Sequence, residues 1–398
     1  MKKKYLFSLF VFALFINKVN GQGVTPQLNG SKCYFQIANV YFEVDPTYGG
    51  RITSLKLNNK QILFTNTSTN WGSTFWQSPQ SAWGWPPSTA LDQNAYSGGI
   101  LGDSVNILSQ VDNTYNTKLK FRKIFYANLA DTSITIEYFM INTGTSAKSF
   151  APWEITRVPV GGMIFFPDTG GVSGVLAPKF EKIGKLQWLD YSSAKFSTST
   201  IKSFSNSIEG WSAWLNSDSA VFIKKFDKIK ISEAASGEDA VEDYYDGPAS
   251  YYEIENQGKY VAINASDSLK WVMKWYVRKL PANVDKSKGS VELANFVRSI
   301  VGAPLDTANK DTTHTVVNFR NKTVNFTISP NPCSNYIRLS GPEKGEIVIS
   351  DICGRIMLKT SFNKNQEVIS IGQITSGIYF YSVVSSGLKY SGKLIVKK

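Results

Sequence analysis

The chain has 398 residues, 42% of them hydrophobic and 13% aromatic, which is enough for one large folded domain and a smaller one. Its formal net charge of +12 is concentrated in residues 1–20 and 321–398, so residues 21–320 are close to neutral. A near-neutral domain lacks the clustered basic face that nucleic-acid binding requires, and we expect no nucleic-acid partner.

The cysteine and histidine content argues against two kinds of site. Cys33, Cys333 and Cys353 are an odd number, so an exported chain can form at most one intramolecular disulfide, and the fold does not depend on disulfides. No CxxC motif occurs and His314 is the only histidine, so neither a zinc site nor histidine-dependent catalysis is expected. We therefore expect no metal and no cofactor.

The start of the chain predicts a secretory signal peptide, residues 1–21. Three lysines from Lys2 to Lys4 precede an apolar stretch, and the small residue Gly21 marks the expected cleavage site. The apolar stretch is shorter than the roughly 18 residues that a membrane-spanning helix needs, and no later stretch reaches that length. The mature protein is therefore expected to be exported and to have no transmembrane segment.

Residues 24–280 predict an all-β sandwich. Short β-branched and aromatic runs are broken at intervals by Gly, Asn, Pro or Asp clusters, as in sandwiches built from many short strands. Ser133 to Ile141 is one such run, and within it Ser133 to Tyr138 alternates apolar and polar residues, as a half-buried strand requires. The other clear strands are Val40–Val44, Leu119–Phe125, Ala220–Lys225 and Lys270–Val277.

Residues 281–323 differ from the domain before them. The segment from Val291 to Val301 has helical spacing, with Leu293, Phe296 and Ile300 on one face, and predicts a helix that docks on the main domain. The segment after it is rich in Thr, Asn, Asp and Lys, which indicates a flexible linker.

The end of the chain, residues 324–398, predicts a small C-terminal β-sandwich of different composition, since all ten tryptophans lie between Trp71 and Trp275. Its most distinctive segments are Ile328–Pro332, Ile337–Leu339, Ile347–Arg355, Ser376–Tyr379 and Lys393–Lys397. Together they resemble the type A C-terminal sorting domain of type IX secretion. The resemblance implies recognition by the type IX secretion machinery of a Gram-negative bacterium, and a protein that is secreted or attached to the outer cell surface. An adhesive or stalk module is the alternative, and pairing of Cys333 with Cys353 is left open.

Several strings of the main domain are also distinctive: Tyr41–Val44 with Tyr48–Leu55, Tyr252–Asn256 with Leu269–Tyr276, and Trp71–Trp76 with Trp83–Pro87 and Pro152–Arg157. They resemble the galactose mutarotase-like family, the last set an uncharacterised subfamily of it. The resemblance implies a large antiparallel β-supersandwich. It also implies that Arg51, which follows a Gly-Gly turn, lies near a sugar site, and that Glu253 matches the catalytic base.

Four tryptophans, Trp71, Trp76, Trp83 and Trp85, fall in one segment interleaved with Gly, Ser and Pro, which predicts an exposed loop. Aromatic faces offer rigid apolar area that suits the C–H faces of sugar rings. We interpret this aromatic loop as a glycan-binding surface. A loop that packs on itself is the alternative.

The string from Trp153 to Arg157 predicts a strand. A period of two places Trp153 and Arg157 on one face and Glu154 on the other. Either Arg157 contacts the ligand and Glu154 is structural, or the reverse, or the two belong to an exposed ion pair. Trp153 joins the candidate sugar-binding residues.

Glu253 and Glu255 are two residues apart and therefore lie on one face of a strand, where their repulsion can raise the pKa of one carboxyl. A solvent-facing pair is the alternative. An acidic segment from Glu238 to Asp246 could hold calcium through its oxygens, but its spacing fits no calcium template and favours a solvated loop.

Two functions fit these features. The first is a secreted or cell-surface carbohydrate-binding protein whose partner is a glycan. The second is an enzyme of the epimerase-like, glycoside hydrolase or polysaccharide lyase type, with Glu253 as base and Glu154 or Arg157 assisting. The missing family histidines favour binding. A pocket in which Glu253, Arg157 and the tryptophans converge is the feature to look for.

Overall fold

A computed structural model describes residues 23–168, 170–191, 200–248, 250–306, 327–341, 344–351, 356–364, 367–385 and 388–398. The chain divides into two units, residues 1–309 and 310–398, and each has its own hydrophobic core. The predicted signal peptide and most of the predicted linker lie outside the described residues.

The first unit is built almost entirely from antiparallel strands, which confirms the all-β prediction. The strands are β1 (Gln27–Asn29), β2 (Lys32–Ile37), β3 (Val40–Asp45), β4 (Arg51–Leu57), β5 (Lys60–Gln61), β6 (Ser73–Ser78), β7 (Ser97–Leu101), β8 (Ser104–Leu108), β9 (Leu119–Asn128), β10 (Ser133–Asn142), β11 (Lys148–Pro159), β12 (Met163–Pro167), β13 (Ser173–Gly174), β14 (Glu181–Ile183), β15 (Leu186–Asp190), β16 (Thr200–Ser205), β17 (Trp211–Leu215), β18 (Ala220–Phe226), β19 (Val241–Asp246), β20 (Tyr251–Gln257), β21 (Val261–Ile263) and β22 (Ser268–Lys279). The five strands expected from the sequence are all present, as β3, β9, β10, β18 and β22.

These strands form two large sheets. Among the described residues, sheet I has twelve strands in the order β1-β2-β3-β4-β6-β11-β20-β19-β16-β13, with β5 beside β4 and β21 beside β11. Sheet II has ten strands in the order β14-β15-β12-β17-β18-β22-β10-β9-β8-β7. Aromatic rings join the two sheets across the core, as in the stacked pair of Phe75 and Tyr138, whose centroids are 4.1 Å apart. The large antiparallel sandwich places one face of sheet I away from this core.

Within the described part of the first unit, two α-helices accompany the sheets, α1 (Thr89–Asp92) and α2 (Val291–Val301). The side chain of Ser290 caps α2 by accepting a hydrogen bond from the backbone N–H of Leu293. The buried face of α2 joins the second cluster of core residues in this unit, and Phe296 and Ile300 pack at its edge, half buried. The buried apolar residues of α2 are Leu293, Ala294, Val297 and Val301. The buried face of the helix therefore contains Leu293, as predicted, but it is centred away from Phe296 and Ile300.

The second unit is a separate small antiparallel β-domain. Its strands are β23 (Thr327–Ser329), β24 (Tyr336–Ser340), β25 (Gly345–Ser350), β26 (Ile356–Phe362), β27 (Val368–Ser370), β28 (Gly377–Ser385) and β29 (Leu388–Val396). They form one sheet in the order β23-β24-β27 and another in the order β26-β25-β28-β29. Cys333 is buried in the core beside Ile337 and Leu394, and Cys353 lies outside the described residues.

Candidate functional site

A cleft of about 380 Å³ opens on the face of sheet I that points away from the core. Four aromatic residues line it: Trp76, Trp85, Trp153 and Tyr244. Its charged lining comes from Glu253 and Glu255 on β20, Asp246 on β19 and Lys202 on β16. Neighbouring strands of one sheet therefore build most of the cleft, and of its aromatic residues only Trp85 comes from a connecting segment.

Strand register brings these side chains together. Across β11 and β20, Arg157 pairs with Glu253 and Ile155 with Glu255, while Trp153 pairs with Trp76 of β6 on the other side. Since side chains alternate along a strand, these residues share one face of sheet I. The sequence predicted this shared face for Trp153 and Arg157.

The carboxylate of Glu253 is held by a buried cation. Arg157 Nε donates to Glu253 Oε1 at 2.7 Å, and Arg157 Nη1 donates to Thr74 Oγ1 at 3.1 Å. The second oxygen of Glu253 accepts no hydrogen bond among the described residues. Burial raises the pKa of Glu253 to about 7; Arg157 opposes this shift and the nearby charge of Glu255 adds to it. Burial therefore brings the pKa of a carboxyl in the cleft close to neutral pH.

Lys202 lies between two further carboxylates. Its Nζ is 2.6 Å from Glu242 Oε2 and 3.1 Å from Glu255 Oε2. The latter oxygen also accepts from Trp153 Nε1 at 2.8 Å. Burial alone would lower the pKa of Lys202, but the charges of Glu255 and Glu242 outweigh it and raise that pKa above its ordinary value. Lys202 is therefore a charged and already paired cation.

The tryptophan segment is not a single exposed loop. Ser73–Ser78 forms β6, a fully buried strand between β4 and β11, because its side chains fill the core on one face and the cleft wall on the other. Trp83 is 4% exposed, donates from Nε1 to the carbonyl oxygen of Gln77, and packs edge-on against Trp76 at 5.9 Å. Trp85 is 56% exposed and is the one of the four that presents a ring to solvent in the cleft.

Trp71 and Arg51 lie in a neighbouring cluster rather than in the cleft lining. The Arg51 guanidinium lies 5.2 Å from the Trp71 ring and forms a buried ion pair with Asp92 at 2.8 Å. Asp92 in turn accepts from Trp76 Nε1 at 2.8 Å. Gly49, in the turn before Arg51, has a φ of +63°, and a Cβ there would lie 1.9 Å from the Asp92 carbonyl oxygen. Arg51 is thus placed to orient Trp76 through Asp92.

Glu154 faces the interior of the sandwich. Its carboxylate pairs with Lys224 at 2.9 Å and accepts hydrogen bonds from Tyr138 at 2.6 Å and from Trp275 at 3.3 Å. Because it is fully buried between the sheets, Glu154 does not reach the cleft. Of the three arrangements left open by the sequence, the geometry favours the one in which Glu154 is structural, since neither Glu154 nor Arg157 is exposed.

Sequence reasoning missed the lining residues Asn70, Gln80, Lys202 and Tyr244, and it placed Asp246 in a solvated loop. The segment expected as a solvated acidic loop contains β19, and its two-residue spacing puts Glu242, Tyr244 and Asp246 on the cleft face. That alternation is the signal that could have revealed them. Within the described residues, no group of three or more His, Cys, Asp or Glu is placed to hold a metal ion.

A comparison with known protein families finds a match in the second unit. Residues 327–397 match the secretion system C-terminal sorting domain family. The second unit is therefore a type IX sorting domain, and the protein is exported by that route to the cell surface or beyond. In the described part of the chain, no helix has the length and apolar character to cross a bilayer.

Solved structures give a looser likeness over the first unit. A putative aldose 1-epimerase from Escherichia coli K12 matches at TM-score 0.45 and 10% identity, over 62% of this chain and 98% of that one. A galactose mutarotase-like protein from Clostridium acetobutylicum matches at 0.43 and 12%, over 65% and 98%. A TPR-domain containing protein from Parabacteroides distasonis matches at 0.45 and 12% over 65% of this chain, which spans about half, 48%, of that protein. No curated protein matches in sequence.

Deleting residues 325–398 should leave the first unit folded but retained in the periplasm, because the deleted part is the sorting domain and has its own core. Cell fractionation with an antibody against the first unit measures the distribution, and an unchanged tryptophan fluorescence spectrum controls for folding. Appearance of the truncated protein outside the cell would contradict this expectation.

Proposed function

We propose that the first unit binds extracellular glycans in this cleft, and that the sorting domain directs the export of the protein to the cell surface or beyond, where such glycans occur. The observation that carries the proposal is the exposed ring of Trp85 beside the edge-on ring of Trp76, with centroids 5.8 Å apart, in a cleft that also contains the free carboxylate oxygen of Glu253. An apolar face next to fixed polar groups suits a sugar, which presents C–H groups on a ring face and hydroxyls at its rim.

The cleft is preorganised for such a ligand. Trp76 is held by Asp92, Trp153 by Glu255, and Glu253 by Arg157. Because these side chains sit on paired strands and are already oriented by hydrogen bonds, little side-chain freedom is lost on binding. The fold resemblance read from the sequence points to the same ligand class.

Replacing Trp85 with Ala should weaken glycan binding by about 1–3 kcal/mol, the range for losing one well-placed aromatic contact. Stability should change little, because Trp85 is 56% exposed. Calorimetric titration against soluble polysaccharides and their oligosaccharides measures the affinity. Tyr260→Ala is the matched control, since Tyr260 is an exposed aromatic that does not line the cleft. Equal affinity of wild type and Trp85→Ala would contradict the proposed site.

A second function, catalysis on the bound sugar, is favoured by one observation. Glu253 combines a free oxygen in the cleft with a pKa of about 7, which suits a general base at neutral pH. Tyr244, Lys202 and Asp246 lie in the same cleft and are the candidates for an acid partner. Epimerase-like, hydrolase and lyase chemistry remain the three candidate reactions.

A further inference from the structure

The charges in and directly beneath the cleft are not balanced. Among the described residues of this site, the two cations are Arg157, paired with Glu253, and Lys202, which Glu242 and Glu255 share. Three carboxylates therefore share two cations.

Two carboxylate oxygens of this group have no partner. Glu255 is 1% exposed, and its Oε1 is buried with no hydrogen bond among the described residues. The second oxygen of Glu253, two residues away on the same face of β20, accepts no hydrogen bond among the described residues, and Glu253 keeps a small exposed surface in the cleft. Ligand N–H or O–H groups can therefore reach this oxygen, and the charge of Glu255 close by favours a donor that is also a cation.

Resting on the proposed function, we propose that the glycan recognised here carries a free, protonated amine: an amino sugar that is not N-acetylated. Its ammonium group would bind the second oxygen of Glu253, close to the charge of Glu255, while its ring lies against Trp85. It supplies both the missing donors and the missing positive charge, and hydrogen bonds between ionised groups are about twice as strong as neutral ones. The aromatic walls also favour a cation.

Other sugar classes fit this cleft less well. A neutral sugar supplies hydroxyl donors but leaves the excess carboxylate uncompensated. A uronate or sulfated sugar adds negative charge, and both cations of the site are already engaged. N-acetylation removes the charge of the amine and adds bulk beside Glu255, so an acetylated amino sugar loses the interaction.

The titration behaviour of the carboxyls is consistent with a missing cation. Burial raises the pKa of Glu253 to about 7 and that of Glu242 well above its usual range, and in both cases the charge of Glu255 adds to the rise. Arg157 and Lys202 oppose these shifts. Tyr244 and Tyr251 also interact electrostatically with Glu253, and Asp246 lies in the same cleft lining. An ammonium bound here lowers the pKa of these carboxyls, so binding near neutral pH releases protons.

The test is calorimetry on the full mature chain with three ligands of equal linkage and length: glucosamine oligomers, N-acetylglucosamine oligomers and glucose oligomers. Below the pKa of the sugar amine, glucosamine oligomers should bind at least about tenfold more tightly than glucose oligomers. Repeating the titration in buffers of different ionisation enthalpy measures the expected proton release. A simple diamine is a fourth ligand and should bind weakly, because it has no ring to stack.

Glu255→Gln should reduce the preference for the amine to about threefold or less, because an amide keeps the shape but not the charge. Glu253→Gln serves the same purpose if the first variant fails to fold, and Glu181→Gln on sheet II is the control for the charge change. Equal or tighter binding of glucose or N-acetylglucosamine oligomers overturns the amine proposal while glycan binding stands. Equal binding of the diamine also overturns it. If no glycan of any class binds, the proposed function fails as well.

Discussion

Replacing Lys224 with Met should lower the free energy of unfolding of the first unit by about 3–5 kcal/mol, because the buried carboxylate of Glu154 loses its ion-pair partner. Lys224 and Glu154 are 1% and 0% exposed, and their charged atoms are 2.9 Å apart. Lys224 also donates to the Ile254 carbonyl oxygen at 2.8 Å, so it ties sheet II to the strand that carries Glu253. Urea denaturation followed by tryptophan fluorescence reports on this unit alone, since all ten tryptophans lie in it.

The double variant Lys224→Met with Glu154→Gln should recover most of this loss, because it removes the second charge together with the first. A loss below about 1 kcal/mol in the single variant would mean that Glu154 is not buried as a charged pair. Such a result would also undermine the assignment of faces on β11, since Arg157 faces the cleft only if Glu154 faces the core.

If the first unit turns over the sugar it binds, Glu253→Gln should reduce the rate by about 10²–10⁴-fold while leaving ligand binding measurable. The amide retains the shape of the side chain but cannot accept a proton. Wild-type activity should rise with pH through about 7, the pKa to which burial raises Glu253, because a base must lose its own proton first. Anomer exchange by NMR, together with release of reducing ends or unsaturated uronates, distinguishes the candidate reactions.

A second variant, Arg157→Ala, tests the residue that positions Glu253 for the same reaction. It should shift the acidic limb of the pH profile upward as well as reduce the rate, because Arg157 opposes the rise in the pKa of Glu253. Glu154→Gln is the control, and its effect should be confined to stability. Activity that survives Glu253→Gln would mean that another lining residue, such as Asp246 or Tyr244, is the base. If the wild type binds sugars without converting them, the catalytic function is wrong and only the binding function stands.

The strands were predictable because alternation is a local signal. In β10, apolar and polar residues alternate from Ser133 to Tyr138, and burial alternates over the second half of the strand, as expected for a strand with one face toward the core. The segment around Trp76 misled the prediction, since a strand buried on both faces shows little alternation. Glycines and prolines nearby then indicated a loop, although β6 lies in the middle of sheet I.

Some residues of the cleft could be picked out from the sequence, but their arrangement could not. A period of two correctly separated Glu154 from Arg157, yet their partners, Lys224 and Glu253, depend on strand pairings between segments far apart in the chain. Lys202 was missed for the same reason, because nothing local marks it as the neighbour of Glu255. Trp83 is buried and Trp85 is exposed because of tertiary packing, and the local sequence Trp83-Gly84-Trp85 does not indicate this difference.

The most direct test of glycan binding in the cleft is a crystal structure of the first unit with the tightest-binding oligosaccharide from the titrations. We expect a sugar ring lying against the indole of Trp85, with a ligand N–H or O–H group within hydrogen-bonding distance of the second oxygen of Glu253. A sugar bound at another surface, with this cleft holding only solvent, would contradict the central claim.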